Sequence, residues 1–298
     1  MQISVAIPTY KRPDDIRKCV ASIVTQTLPP AEVLVIDDDD LPQELIAELK
    51  RTVEQIGADF VYYRKDHTHE PRGTSTSRRL AMQKATHDVL IIDDDIVLDP
   101  DCLKWLADAY VSDASGKLIA VGGIIRNNRK KSWGEKVFNR IFFLDGDGWD
   151  VTDWGFQTWD DHITKRQTAH YAHGGFCLYN RRAAAQIDFP EMAGGRTALE
   201  DVYFARKAKN LGWHYIMEPR ATCQHFHGAG GRDNDYEIGL QESKNRRVIF
   251  RNLCPQSFGN QSKFFWASLG WILRQFLTSH FAKGRGMTVG FLKQPPKQ

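Results

Sequence analysis

The sequence predicts an α/β fold: a doubly wound, mostly parallel sheet followed by a helical C-terminal tail. Three observations predict it. Apolar runs of strand type alternate with segments of helical period through the first third of the chain. Two of those runs end in packed aspartates, Asp37 to Asp40 and Asp93 to Asp95, and open α/β sheets bind ligands beyond the carboxyl ends of their strands. Beyond residue 263, apolar side chains recur at helical spacing among basic ones.

The elements follow in order. Ile3 to Ile7 is a short β-type run closed by Pro8. Asp14 or Asp15 can cap a helix whose apolar residues Ile16, Val20, Ile23 and Val24 share one face. Glu32 to Ile36 is continuously apolar after its first residue, as a parallel strand buried on both faces must be. Leu45 to Ile56 reads as a second helix stopped by Gly57, and Phe60 to Tyr63 as a strand. Arg78 to Ala85 is a helix, and Val89 to Ile92 a buried strand. The resulting β-α-β-α-β-α-β order implies right-handed crossovers. From about Asn139 to Gly175, aromatics lie among Asp, Gly and His with weak periodicity, either a packing excursion or a wall that stacks on a ligand. Phe176 to Tyr179 is a strand, and Leu199 to Leu211 a helix opened by Glu200 and Asp201. Trp213 to Met217 is a last strand before Pro219.

Composition narrows the classes. With 298 residues, 42% hydrophobic and 26% charged, the chain can bury a sizeable core and is not disordered. The formal charge of +3 is unevenly spread, for no Asp or Glu follows Glu242 while ten Lys and Arg do. Such a tail favours an anionic partner; a membrane surface fits, and without a recognition motif nucleic acid is not expected. Five scattered cysteines with no CxxC pair suit a reducing, cytoplasmic compartment. No secretory leader is visible at the N-terminus, and Arg274 and Gln275 interrupt the one long apolar segment, so no spanning helix is expected.

Asp93, Asp94 and Asp95 place three carboxylates at one strand end, where like charges persist only beside a cation or donors. Hard oxygen ligands suit Mg²⁺ or Mn²⁺, and a solvated turn is the alternative. In an extended segment Asp93 and Asp95 point the same way while Asp94 faces elsewhere.

The ordered set of motifs resembles the family 2 nucleotide-sugar-dependent inverting glycosyltransferases. Ala6-Ile-Pro-Thr-Tyr-Lys-Arg12 is similar to that family's first-strand motif, and Val33-Leu-Val-Ile-Asp-Asp38 to its nucleotide-reading "V.VVDD". Gly73 to Arg79 resembles "G...ARN", and Leu90-Ile-Ile-Asp-Asp-Asp95 the DxD motif. Glu200-Asp201 with Arg206 and Gly212 resembles "ED...R...G", and His225-Phe-His-Gly228 a late histidine motif. The resemblance implies a GT-A fold, which is a Rossmann-like doubly wound sheet. It implies that Thr9, Asp37 and Asp38 hold the base and ribose of a UDP, GDP or dTDP sugar. Asp93 or Asp94 would meet the ribose or metal-bound waters, and Asp95 a Mn²⁺ or Mg²⁺ bridging the diphosphate. Asp93 and His225, or His227 in its place, would complete the metal site, and Asp201 would be the general base with Glu200 as rival. Arg78 would meet the diphosphate or form a surface ion pair. Two departures stand out: Asp39 and Asp40 follow the nucleotide-reading acids, and Ser77-Arg78-Arg79 replaces "ARN".

On this reading residues 1–240 form the catalytic domain, with a nucleotide-binding half over 1–100 and an acceptor half over 101–240. Residues 241–298 form a basic helical extension. The acceptor is expected to be a saccharide or lipid-linked sugar of a surface polysaccharide or glycolipid. Attachment is expected to be peripheral, on the cytoplasmic face of the membrane. The tail helix either packs on the catalytic domain or lies in an anionic bilayer interface. Two other classes fit less well: a catalytically silent sugar-binding module, and a sugar nucleotidyltransferase, whose Gly-rich loop is missing from Pro8 to Pro13.

Overall fold

The structure is a computed structural model describing residues 1–146, 148–187, 189, 198–226 and 234–293. Its first part is β1 (Ile3–Thr9), α1 (Pro13–Val24), β2 (Glu32–Asp37), α2 (Gln43–Glu54), β3 (Asp59–Arg64), α3 (Thr74–Lys84) and β4 (Asp88–Ile92). The alternation is the one the sequence predicts. Two boundaries differ. Pro13 takes the first position of α1, with Arg12 at the cap, so Asp14 and Asp15 lie in the first turn instead of capping it. α3 begins at Thr74, directly after Gly73 at φ 126°, four residues before Arg78.

The chain continues through β5 (Ile96–Leu98), α4 (Cys102–Val111), β6 (Leu118–Ile125) and α5 (Trp133–Ile141). A ribbon of β7 (Asp150–Val151) and β8 (Gln157–Thr158) follows, then β9 (Gln167–Ala169), β10 (Phe176–Tyr179), α6 (Arg181–Ala184), α7 (Glu200–Asn210) and β11 (His214–His225). Helices α8 (Asp235–Leu253), α9 (Phe258–Leu277) and α10 (Phe281–Leu292) end the described chain.

The large sheet runs β3-β2-β1-β4-β10-β6-β11-β5, with β9 also on β11. β1 to β4 are parallel, while β10 enters antiparallel between β4 and β6. Alternation along each strand feeds two cores. Val33 and Val35 face the layer of α1, α2 and α4; Leu34 and Ile36 face the layer of α3 and α7.

β11 corrects the expected strand end. It does not stop before Pro219 but runs on to His225, with a register shift against β6 between Met217 and Thr222 that absorbs the proline. Arg166 and Arg220 clamp the Glu218 carboxylate inside that irregularity. The strand then pairs with β5, His225 against Ile96.

The aromatic middle divides. Trp149, Phe156 and Tyr171 are buried, whereas Trp159 is half-buried and Phe143 exposed. α9 divides as well: Phe264 and Ala267 pack with Phe156 and Phe250, while Phe265, Trp266, Leu273 and Leu277 are exposed. Among the described residues, no helix is long and apolar enough to cross a membrane. All five cysteines are free and buried.

Candidate active site

The carboxyl ends of β1, β2 and β4 open on a cleft of about 810 Å³, lined by Thr9, Asp38, Ser77, Arg78, Asp93, Asp94 and Glu200 among others. Adjacent strand ends bring residues far apart in sequence together. Thr9 Oγ1 donates to Asp94 Oδ2 at 2.8 Å. One nitrogen of Arg12 donates to Asp94 Oδ1 at 2.8 Å and to Asp95 Oδ2 at 2.9 Å. Lys11, just before it, adopts φ 55°, a strained conformation for a side-chain-bearing residue, in the turn that leads Arg12 to the aspartates. Burial pushes the Asp94 carboxyl up to about 6, opposed by Arg12 and Thr9.

With both Asp94 oxygens engaged, Asp93 and Asp95 share another neighbour. Asp93, Asp95 and His225 place one candidate ligand atom each within 4.8 Å of one another. His225 Nε2 lies 2.9 Å from Asp95 Oδ1. Strand pairing sets that approach: Phe226 N donates to Asp95 O, and Asn127 bonds both backbone polar groups of His225. Two carboxylates and one imidazole fit a divalent cation, and the nitrogen suits Mn²⁺ better than the all-oxygen shell Mg²⁺ prefers. His227, the alternative ligand, lies outside the described residues. His170 and His173 sit elsewhere, His173 packed among Trp149, Trp159 and Tyr171.

The second acid pair behaves unequally. Asp38 faces the cleft, where Gly73 N donates to Oδ2 at 2.9 Å and Lys65, its side chain wholly buried, lies 2.7 Å from Oδ1. Burial lowers the Lys65 pKa, against the pull of Asp38. Asp37 does not reach the cleft. It is fully buried, and its oxygens accept from the backbone N–H groups of Asp39 and Leu41 and from the Tyr62 hydroxyl. The expected nucleotide contact at Asp37 is therefore replaced by a role in shaping the loop.

Arg78 is no surface ion pair. It is buried, 2.7 Å from Glu200 and 3.5 Å from Asp93. Burial opposes its charge, but Glu200, Asp93 and Asp201 outweigh that and raise its pKa. Burial pushes the Glu200 carboxyl up to about 7 against the attraction of Arg78. Leu199, at φ 74°, turns the chain into α7 so that Glu200 and Asp201 open the helix. Glu200 lines the cleft. Asp201 is half-buried and accepts from Tyr171 Oη at 3.1 Å, from Gly174 N and from Val202 N.

The sequence reading did not single out Lys65, Gly174 or Gly175, and Arg12 entered it only as the last residue of the first-strand motif. A Cβ on Gly174 would stand 2.5 Å from an Arg78 nitrogen, and one on Gly175 2.1 Å from an Asp93 oxygen. The Gly-Gly pair before a short apolar run is the visible hint, since paired glycines mark close backbone approach.

The family model described as Glycosyl transferase family 2 matches residues 4–188. The glucosyl-dolichyl phosphate glucuronosyltransferase of Haloferax volcanii is 32% identical over 130 residues, 42% of this chain and 38% of that protein, so the match spans well under half of the relative. The mannosyltransferase PcManGT from Pyrobaculum calidifontis, solved with GDP-Man and Mn²⁺, aligns over 97% of this chain and 80% of its own, with TM-score 0.57 and 17% identity. TarS of S. aureus aligns over 99% of this chain and 46% of its own, with TM-score 0.55 and 19% identity. At such identities the structural likeness establishes a shared fold.

Proposed function

We infer the function from one premise: the chain belongs to glycosyl transferase family 2 and carries the GT-A fold. It moves a sugar from a nucleoside diphosphate sugar to a hydroxyl acceptor with inversion at the anomeric carbon. The observation that carries this reading is the convergence of Asp93, Asp95 and His225 beside a cleft that also holds Thr9 and Asp38. Asp93, Asp95 and His225 would hold a divalent cation, which supplies a Lewis acid for the charge that grows on the leaving diphosphate. Mn²⁺ in the PcManGT complex supports this cofactor.

The residues of the chain divide the remaining tasks. Asp38, fixed by Lys65 and Gly73 N, accepts from donor hydroxyl or base N–H groups. Arg12 and Arg78 add positive charge beside the acids, and the N-terminal turn of α3 lines the same cleft. A sugar hydroxyl is a poor nucleophile and needs a carboxylate to take its proton. We assign that role to Asp201, because Glu200 is committed to Arg78 on the donor side while Asp201 sits toward Tyr171 and Gly174. Attack opposite the leaving group gives inversion. The name of the H. volcanii relative supports a lipid-linked acceptor. The exposed apolar face of α9 and the basic tail support a peripheral position on an anionic membrane.

The test is turnover of UDP-, GDP- and dTDP-sugars. Asp95→Ala is expected to abolish Mn²⁺-dependent donor hydrolysis and transfer. Wild-type rates in that variant would sink the assignment.

A further inference from the structure

A second cavity, open to solvent and of about 990 Å³, shares no lining residue with the donor cleft. It lies between α5, β8, α8 and α9. Arg129, Lys131, Arg246 and Arg274 line it against two carboxylates, Glu135 and Asp161, and Trp159 and Trp271 supply apolar walls.

Two buried groups in its wall are incompletely paired. Arg246 is 4% exposed; one terminal nitrogen donates to Gly155 O and Gln157 Oε1, but Nε finds no hydrogen-bond partner among the described residues. Burial lowers its pKa despite Glu242. Asp161 accepts from Asn128 through Oδ2, while its buried Oδ1 accepts no hydrogen bond from the described residues and lies 3.7 Å from His173 Nε2. Native proteins rarely bury polar groups unpaired, so both groups call for a further partner in or beside the cavity. The cavity lies near the first site: Tyr171 and Asp201 both act electrostatically on Arg246 in its wall, and Asn128 follows the Asn127 that fixes His225.

Resting on the transferase reading above, we propose that this cavity binds the acceptor, and that the acceptor carries a phosphate or carboxylate beside a sugar ring. Arg129 and Arg274, which share the one carboxylate of Glu135, take the anion, with Lys131 beside them; Asp161 accepts a sugar hydroxyl, and the tryptophans offer faces to the ring. A lipid phosphate and a soluble anionic sugar share this chemistry.

The test is tryptophan fluorescence of the full chain in EDTA, titrated with citronellyl phosphate, glucose 6-phosphate and glucuronate, and with citronellol and methyl glucoside as neutral counterparts. At least one anionic probe is expected to saturate, its neutral counterpart not. Affinity is expected to fall at least tenfold in Arg274→Gln and in Lys131→Gln, both less buried than Arg246. Saturation by citronellyl phosphate alone assigns a lipid acceptor, and by a sugar anion alone a soluble one; both support the site. No saturation by any anionic probe, or unchanged affinity in both variants, overturns it. Because the titration needs neither donor nor metal, Asp95→Ala should bind these probes normally, so the two readings fail separately.

Discussion

Asp93 owes its position to a backbone that leaves room for nothing else. The Gly175 backbone lies so close that a methyl group would overlap the Asp93 carboxylate, and Asp93 N donates to Gly175 O at 3.0 Å. Gly175→Ala should therefore displace Asp93 and weaken Mn²⁺-dependent donor binding at least tenfold, while circular dichroism shows the fold retained. Calorimetric titration checks this, and unchanged affinity would contradict the packing argument. The acid pair at the start of α7 separates by role. Asp201→Asn should cut transfer by about 10²–10⁴-fold, the usual worth of a general base, with donor affinity nearly unchanged. Glu200→Gln should instead disturb donor affinity by releasing Arg78. Full transfer by Asp201→Asn would move the base elsewhere. At this scale the gathering of acids at the end of β4 was legible, although Asp93 to Asp95 form a turn closed by Ile96 N on Asp93 O and not the extended segment expected. Arg12, Lys65 and the inward turn of Asp37 were not, because each depends on which loop folds over which strand end.

β11 shows how an element carries a site residue past a sequence signal that says stop. Pro219 ends the apolar run, yet the strand continues because the two arginines on Glu218 stabilise an irregular stretch that pairing could not. Despite burial, Arg220 and Arg166 hold the Glu218 carboxyl down near 2, below its ordinary 4.5. A carboxylate depressed in the folded state contributes stability above its unfolded pKa and loses it as pH falls through the folded one. Thermal melts of the wild type should thus drop more steeply between pH 4.5 and 2 than those of Glu218→Gln. Equal slopes would contradict the clamp. β6 escaped the sequence reading for a related reason: Gly122 and Gly123 break its apolar run. They are required because a Cβ on Gly123 would meet the Phe176 ring of β10 at 2.4 Å. The parallel strands β1 to β4 needed no such exceptions, and their local patterns gave them in order.

Across the whole molecule, the sheet supplies the cleft we assign to the donor and the later helices the surface we propose for the acceptor. α8 and α10 pack closely through Gly239, Gly286 and Gly290, whose added Cβ atoms would each meet a backbone oxygen of the other helix within 2.6 Å. That leaves α9 with a buried face on Phe250 and an exposed one at Trp266, Leu273 and Leu277; Ile141 of α5 adjoins it, its carbonyl accepting from Trp266. The packed face meets the expectation of a helix docked on the catalytic domain, and the exposed face is the one we propose lies on a membrane. Leu273→Asp with Leu277→Asp should abolish flotation with anionic vesicles while leaving soluble donor hydrolysis intact; flotation equal to wild type would remove the membrane from the account. The central claim is the donor site at Asp93, Asp95 and His225. It is tested most directly by thermal shift with UDP-, GDP- and dTDP-sugars in Mn²⁺ and in EDTA. At donor near a hundred times Kd, one of them should raise the wild-type midpoint by roughly 5–10 °C in Mn²⁺, with no rise in EDTA or in Asp95→Ala. A shift of equal size in EDTA, or in Asp95→Ala, would contradict it.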